Sequence, residues 1–274
     1  MATDTPVPPG VDPTKPNVGR MYDLVLGGTN YFEADVKAVE AIRQFVPETE
    51  DIVWANRGFL QRATKWLAEH GIRQFIDVGA GLPTRNNTHE AAQAVAPDAR
   101  VVYVDIDPMI VAHGRDLLKD TPHTVFIQGD LRAPDGILSH PEVRELIDFD
   151  EPVAIVLAAV LHFVSDDDDP WGLVDRYMAP LVSGSYLALS HATYDRIHPE
   201  VIERFRRVYD NANEQAHFRS KPDVERFFDG LEIVPPYDGA PPVVTFSGLW
   251  GAEEPADADS DGSRWIYCAV ARKP

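Results

Sequence analysis

Three aspartates stand where apolar runs give way to loops, and their spacing suits the chemistry of a bound nucleoside. Asp77 lies in the run Phe75-Ile-Asp-Val78, directly before Gly79, Ala80 and Gly81. Asp105 ends the run Val101-Val-Tyr-Val-Asp, 24 residues after Gly81. Asp130 stands in Gln128-Gly-Asp-Leu131, after a third run. A strand, a glycine turn and a helix bring bare backbone up to a nucleotide-like ligand, because a Cβ would block either a positive φ or a close approach. An acid about 20 residues past such a turn can accept from both ribose hydroxyls. An acid or amide after the third strand can accept from an exocyclic amine of adenine.

The charge of these groups bears on the ligand. A dinucleotide site wants a third glycine where Thr84 stands, and Pro83 interrupts the turn. It also wants pyrophosphate at a helix N-terminus, an unfavourable neighbour for three carboxylates. S-adenosylmethionine has no phosphate and carries a sulfonium and an ammonium. The electrostatics therefore favour S-adenosylmethionine over NAD. An NAD-linked oxidoreductase is the first alternative, since its first two strands would look the same. A non-catalytic cofactor-binding or sensing protein is the second.

These residues must be held by an alternating α/β framework. Strands are expected at 74–78, 101–105, 124–127, 153–157 and 186–190, and further ones near 231–234 and 265–271. Helices are expected near 88–96, from Pro108, and at 171–180, 199–215 and 222–228. The wholly apolar strands 2 and 4 fit a sheet covered on both faces, so the expected fold is a doubly wound, Rossmann-like α/β domain spanning 73–274. Ahead of it, 17–72 reads as a helical extension. A helical turn near 18–25 meets a break at Gly27-Gly28, and Asn30 is placed to cap a helix that Pro47 ends. A second helix spans about 49–69, with Gly71 as its stop. Asn56 and Arg57 fall on its inward face, as ligand contacts, as hydrogen-bond partners of the glycine loop or in a structural ion pair. Residues 1–16, with five prolines, read as a tail.

The chain has 274 residues, 44% of them hydrophobic, and a formal net charge of −19. Such an acidic balance speaks against nucleic acid or an anionic membrane as partner. Cys268 is the single cysteine, so neither an intramolecular disulfide nor a cysteine-based zinc site is expected. Two carboxylates in Asp105-Ile-Asp107 are too few for an oxygen cage, and no metal is expected. No signal peptide or apolar span stands out, which makes the cytoplasm the expected location. The acidic stretches Asp166–Asp169 and 253–262 read as solvated loops.

The turn Asp77-Val-Gly-Ala-Gly81 with Asp105 and Gln128-Gly-Asp130 resembles the class I S-adenosylmethionine-dependent methyltransferases. From about residue 15 the chain is similar to one bacterial family of such enzymes, whose substrate is generally undefined. Arg20-Met-Tyr-Asp-Leu-Val-Leu-Gly-Gly, Asn56-Arg-Gly-Phe-Leu, Gly81-Leu-Pro-Thr, His89-Glu-Ala-Ala-Gln, Leu161-His-Phe-Val, Ser190-His-Ala-Thr and Ala269-Val-Ala-Arg-Lys-Pro carry the likeness. It implies a seven-stranded sheet of order 3-2-1-4-5-7-6 with strand 7 antiparallel. It implies cofactor contacts at Asp77, Gly79, Gly81, Asp105, Ile106, Asp130, Leu131 and around Ala158, to which Ala80 in the turn and Arg57 are added.

The expected reaction is transfer of a methyl group from S-adenosylmethionine to a small molecule, leaving S-adenosylhomocysteine. The cofactor carries the activation, and a base is needed only for a protonated nucleophile. His162 follows strand 4, His191 follows strand 5, and Tyr22 lies in the glycine-broken segment. These three are the candidate catalytic residues, and each has an alternative reading as a packed, hydrogen-bonded side chain. Tyr31 and Phe32 share that segment, which could close over the cofactor as a lid.

Overall fold

A computed structural model describes residues 11–83 and 87–274. Most of the proline-rich tail, and Thr84 at the expected third glycine, lie outside the described residues. Three helices lead: α1 (Val18–Val25), α2 (Glu33–Arg43) and α3 (Thr49–Glu69). Then come β1 (Gln74–Val78), α4 (Thr88–Gln93), β2 (Arg100–Asp105), α5 (Pro108–Leu118) and β3 (Thr124–Gln128). Two short helices, α6 (Pro134–Leu138) and α7 (Pro141–Leu146), precede β4 (Ala154–Ala158). After it come α8 (Pro170–Met178), β5 (Tyr186–Ala192), α9 (Pro199–Tyr209) and α10 (Lys221–Glu225). The chain closes with β6 (Glu232–Ile233), β7 (Thr245–Phe246), α11 (Pro255–Ala258) and β8 (Ile266–Arg272).

The strands run in the order β3-β2-β1-β4-β5-β8-β6, and β7 also pairs with β8. The pairs among β1 to β5 are parallel, whereas β8 is antiparallel to β5, β6 and β7. The expected order is therefore present, with one short strand more than the seven expected. Alternate residues of β2 enter different cores. Val102 and Val104 pack with Ile127, Ile155 and Tyr177, and Val101 and Tyr103 pack with Phe59, Leu67 and Ile110. That two-sided burial is why the strand reads as one apolar run. A third cluster joins α1 and α2 to α9 through Met21, Val39, Ile42, Ile202 and Phe218.

Two boundaries depart from expectation. Asn30 does not cap α2. The cap is Phe32, whose backbone N–H donates to the Asp35 carboxylate at 2.7 Å, while Asn30 Oδ1 meets His113 Nδ1. Helix α9 stops at Tyr209, six residues before its polar continuation suggests. Segment 16–18 captures that continuation: Asn213 N donates to Pro16 O, and Val18 N donates to Asn213 Oδ1. A tertiary partner here outweighs local propensity.

The N-terminal helices are tied to the sheet by a buried ionic cluster. Arg20 donates from Nε to Asp35 (2.9 Å), from Nη1 to Asp107 (3.4 Å) and from Nη2 to Lys15 O (2.8 Å). Asn17 Nδ2 donates to Asp107 (2.8 Å), which also caps α5 through Met109 N. One carboxylate thus starts a sheet helix and holds the leading helices.

Candidate functional site

The strand order reverses between β1 and β4, and in open α/β sheets the ligand crevice lies beside that point, at the carboxyl ends of the strands. A cavity of about 210 Å³ occupies this position. Its first wall is the glycine turn. Gly79 has φ +70° and Gly81 φ +63°. A Cβ at Gly79 would come within 2.2 Å of Val160, so a side chain is excluded there by space as well as by φ.

Asp77 is fully enclosed and accepts from the Thr88 hydroxyl at the start of α4. Burial pushes its carboxyl up to about 6, against the pull of Thr88 and Arg57. Asp105 accepts from Gly81 N (2.9 Å) and Asp107 N (3.0 Å), and burial likewise lifts it to about 6. Arg57 is 5% exposed; its Nη1 reaches Asn87 Oδ1 at 3.4 Å, and its Nε has no hydrogen-bond partner among the described residues. A buried, unpaired guanidinium N–H on a cavity wall is a donor awaiting an acceptor. Asp130, Leu131, Ile106 and Ala158 line the same cavity.

The opposite wall comes from α1, α2, α3, α9 and the loops after β4 and β5, and sequence reasoning missed much of it. Phe205 and Tyr209 face it with Phe218 and Trp265. The i, i+4 aromatic pair on α9 was the available signal. Asn56 points inward as its spacing predicts, but its partners are Ser190 Oγ (2.6 Å) and the Tyr22 hydroxyl (3.0 Å), not the glycine loop. Ser190 in turn accepts from Ala159 N (2.9 Å), which helps hold Ala159 at φ +54°, a strained value for a residue with a Cβ.

The three candidate catalytic residues separate. Tyr22 and His162 line the cavity. His191 does not: it is completely buried behind the wall, with Nε2 accepting from Arg219 (2.6 Å) and Nδ1 donating to Ala192 O (2.7 Å). Burial, then the neighbouring His162 and Arg219, lower its basicity. His162 Nδ1 accepts from Ala192 N at 3.4 Å, so the ring proton sits on Nε2. Burial and the adjacent Arg219 depress this imidazole to about 3. Arg219 also donates to Leu161 O, Val164 O and Asp166, so the loop carrying His162 is clamped, and Asp166 is not simply a solvated charge. Nothing in the sequence marks Arg219 for this role.

The glycine cradle, the acids beyond it and the unpaired Arg57 Nε fit a nucleoside bearing an amino-acid tail, so the cofactor the sequence suggests suits the residues present. A family model described as S-adenosyl methyltransferase matches residues 4–274. The chain belongs to that family. The methyltransferase is 41% identical to a crystal structure from Thermobifida fusca YX assigned as a methyltransferase, over 97% of this chain and 98% of that one, with a TM-score of 0.88. It is 40% identical to a DUF574 family protein from Streptomyces avermitilis MA-4680, over 95% and 98% of the two chains, with a TM-score of 0.87. A comparison with curated proteins returned no match. S-adenosylmethionine, not NAD, is therefore the methyltransferase's cofactor, and the protein is an enzyme rather than a binding module. No helix among the described residues is long and apolar enough to cross a membrane.

Proposed function

We propose that the methyl acceptor is a small molecule bound in the same cavity as the cofactor. The observation that carries this reading is the continuity of the cavity, from the glycine turn to an apolar wall closed over by the N-terminal helices and α9. A macromolecular acceptor would need an open groove, and nucleic acid would also need a basic one.

When bound, S-adenosylmethionine supplies an electrophilic methyl group on sulfur. In this reading Asp105 accepts from the ribose hydroxyls, Asp130 or its neighbouring backbone meets the adenine edge, and the backbone of 79–81 makes the close approach. Ile106, Leu131 and Ala158 pack the adenosyl group. Asp77 and Arg57 have the opposite charges needed for the ammonium and carboxylate of the amino-acid tail. Tyr22, which stacks under Arg57 with its ring centre 5.6 Å away, orients that guanidinium. His162, depressed to about 3, is neutral at neutral pH and too weak a base to take a proton, and its Nε2–H acts as a hydrogen-bond donor. The acceptor therefore arrives with an unprotonated nucleophile, and His191 supports the wall behind it. Residues 17–72 act as a cap on a catalytic domain of 73–274, and the location is the cytoplasm.

Calorimetric titration with S-adenosylhomocysteine, followed by a screen for labelled methyl transfer into extracted metabolites, tests the reading. Label appearing only in protein or nucleic acid would sink it. Arg57→Gln should weaken S-adenosylhomocysteine at least tenfold, since a hydrogen bond to a charged group is worth about 1.5–3 kcal/mol. It should leave decarboxylated S-adenosylmethionine nearly unaffected. An equal loss for both ligands contradicts the carboxylate role.

Affinity should also depend on pH. Asp77 and Asp105 ionise near 6, well above the ordinary 3.8. Ionising a carboxyl whose value is raised costs folding free energy. The two groups are thus neutral and harmless to the empty fold below about 4, and their cost builds as pH rises from about 4 to 6 and is full above that. Bound as carboxylates, they should make S-adenosylhomocysteine affinity climb between pH 5 and 7 and level off above. The tightening should be roughly tenfold per unit for each group while pH lies below 6. A flat calorimetric profile over that range contradicts this assignment.

A further inference from the structure

We infer that the acceptor is a planar aromatic molecule without negative charge. The inference rests on the reading that the acceptor shares the cofactor's cavity, and it comes from the wall facing the glycine turn. Phe205 is the centre of that wall. Its ring stacks on Tyr209 at 4.9 Å between centres, meets Phe218 edge-on at 5.3 Å and lies 6.0 Å from Trp265. Tyr209 also stacks against Phe163 at 5.9 Å. These rings are already offset and edge-to-face toward one another, and a further flat ring extends such an array with favourable quadrupole contacts.

Among the described residues, the arginines lining the cavity are Arg57 and Arg132. Asp77, Asp105 and Arg57 belong to the glycine-turn side. Asp130 and Glu214 both reach Arg132, Glu214 at 2.7 Å, so that group keeps one negative charge in excess. An acceptor with a carboxylate would leave water for the aromatic wall and this net-negative group with no opposite charge to meet, a loss that desolvation makes severe. The polar handles on that side are neutral donors. Tyr209 lines the cavity, and burial keeps its hydroxyl protonated. His162 offers Nε2–H, its Nδ1 being taken by Ala192 N. Two neutral donors beside stacked rings suit a ring that carries an oxygen or nitrogen lone pair.

The test is calorimetry on the full chain saturated with S-adenosylhomocysteine, titrated with four probes: 2-naphthol, cyclohexanol, benzoate and cyclohexylamine. We expect 2-naphthol to bind at least tenfold more tightly than each of the others. Tyr209→Phe, which removes only the hydroxyl, should weaken it several-fold, and Phe205→Leu should weaken it further, with the melting temperature reporting that each variant is folded. A charged probe that equals or exceeds 2-naphthol overturns the inference. So does 2-naphthol that fails to bind, or that binds folded variants and parent alike. Saturation by S-adenosylhomocysteine is measured first, so a failure there falls on the cofactor site and is distinct from a failure of the aromatic wall.

Discussion

Asp105→Asn should lower affinity for S-adenosylhomocysteine by two orders of magnitude or more while leaving the melting temperature of the empty protein nearly unchanged. Asp105 ends β2 beside Gly81 and is 8% exposed. Two ribose hydroxyls donating to one buried carboxylate contribute about 1.5–3 kcal/mol each, and roughly 1.4 kcal/mol is a factor of ten. The amide is a poorer acceptor and turns a donor toward one hydroxyl. Stability should not follow affinity. Burial disfavours the Asp105 charge above pH 6, so a neutral amide removes that cost. It loses in exchange one of the two backbone N–H partners, Gly81 or Asp107. Calorimetry and thermal melting on the same sample separate the two effects. Unchanged affinity would show that the β2 acid does not hold the ribose.

Arg20→Ala should produce the largest loss of stability of any surface-distant substitution in the N-terminal segment. Arg20 is 2% exposed and faces two carboxylates, Asp35 at 0% and Asp107 at 8%. Removing one partner of a buried ionic cluster leaves uncompensated charge and costs about 3–5 kcal/mol. For a chain of this size that is a fall in melting temperature on the order of 10 °C. Arg20→Lys should recover only part of it, because a single ammonium cannot reach Asp35, Asp107 and Lys15 O together. A melting temperature within about 2 °C of the parent for Arg20→Ala would falsify this account, and with it the idea that this cluster fixes the leading helices to the sheet.

What could be read from the sequence was what local chemistry decides. The glycine turn, the acids at strand ends and the apolar strands announce themselves, because each follows from a requirement of the residue's own backbone or face. All ten residues expected at the cofactor line one cavity. What could not be read was long-range. His162 and His191 look equivalent in the chain, each just after a strand. Only the packing of Arg219, from a loop near α10, shows one on the cavity and the other behind it. The end of α9 was missed for the same reason: Asn213 answers to Pro16 and Val18, nearly two hundred positions away. Strand β7 has two residues, too few for a periodic signal.

The antiparallel strand β8 bears on how the enzyme comes off the ribosome. It lies inside the sheet, paired with β5 over seven residues on one side and with β6 and β7 on the other. During synthesis every chain that has not yet passed residue 272 therefore presents the bare edge of β5, an apolar strand with a full row of unmet backbone donors and acceptors. Such an edge invites pairing with another nascent chain. The half that carries the glycine turn, complete by β4, can take shape early on the growing polypeptide. The second half stays exposed until β8 slots in, and this interval is where holdase chaperones would act and where truncated translation products would aggregate.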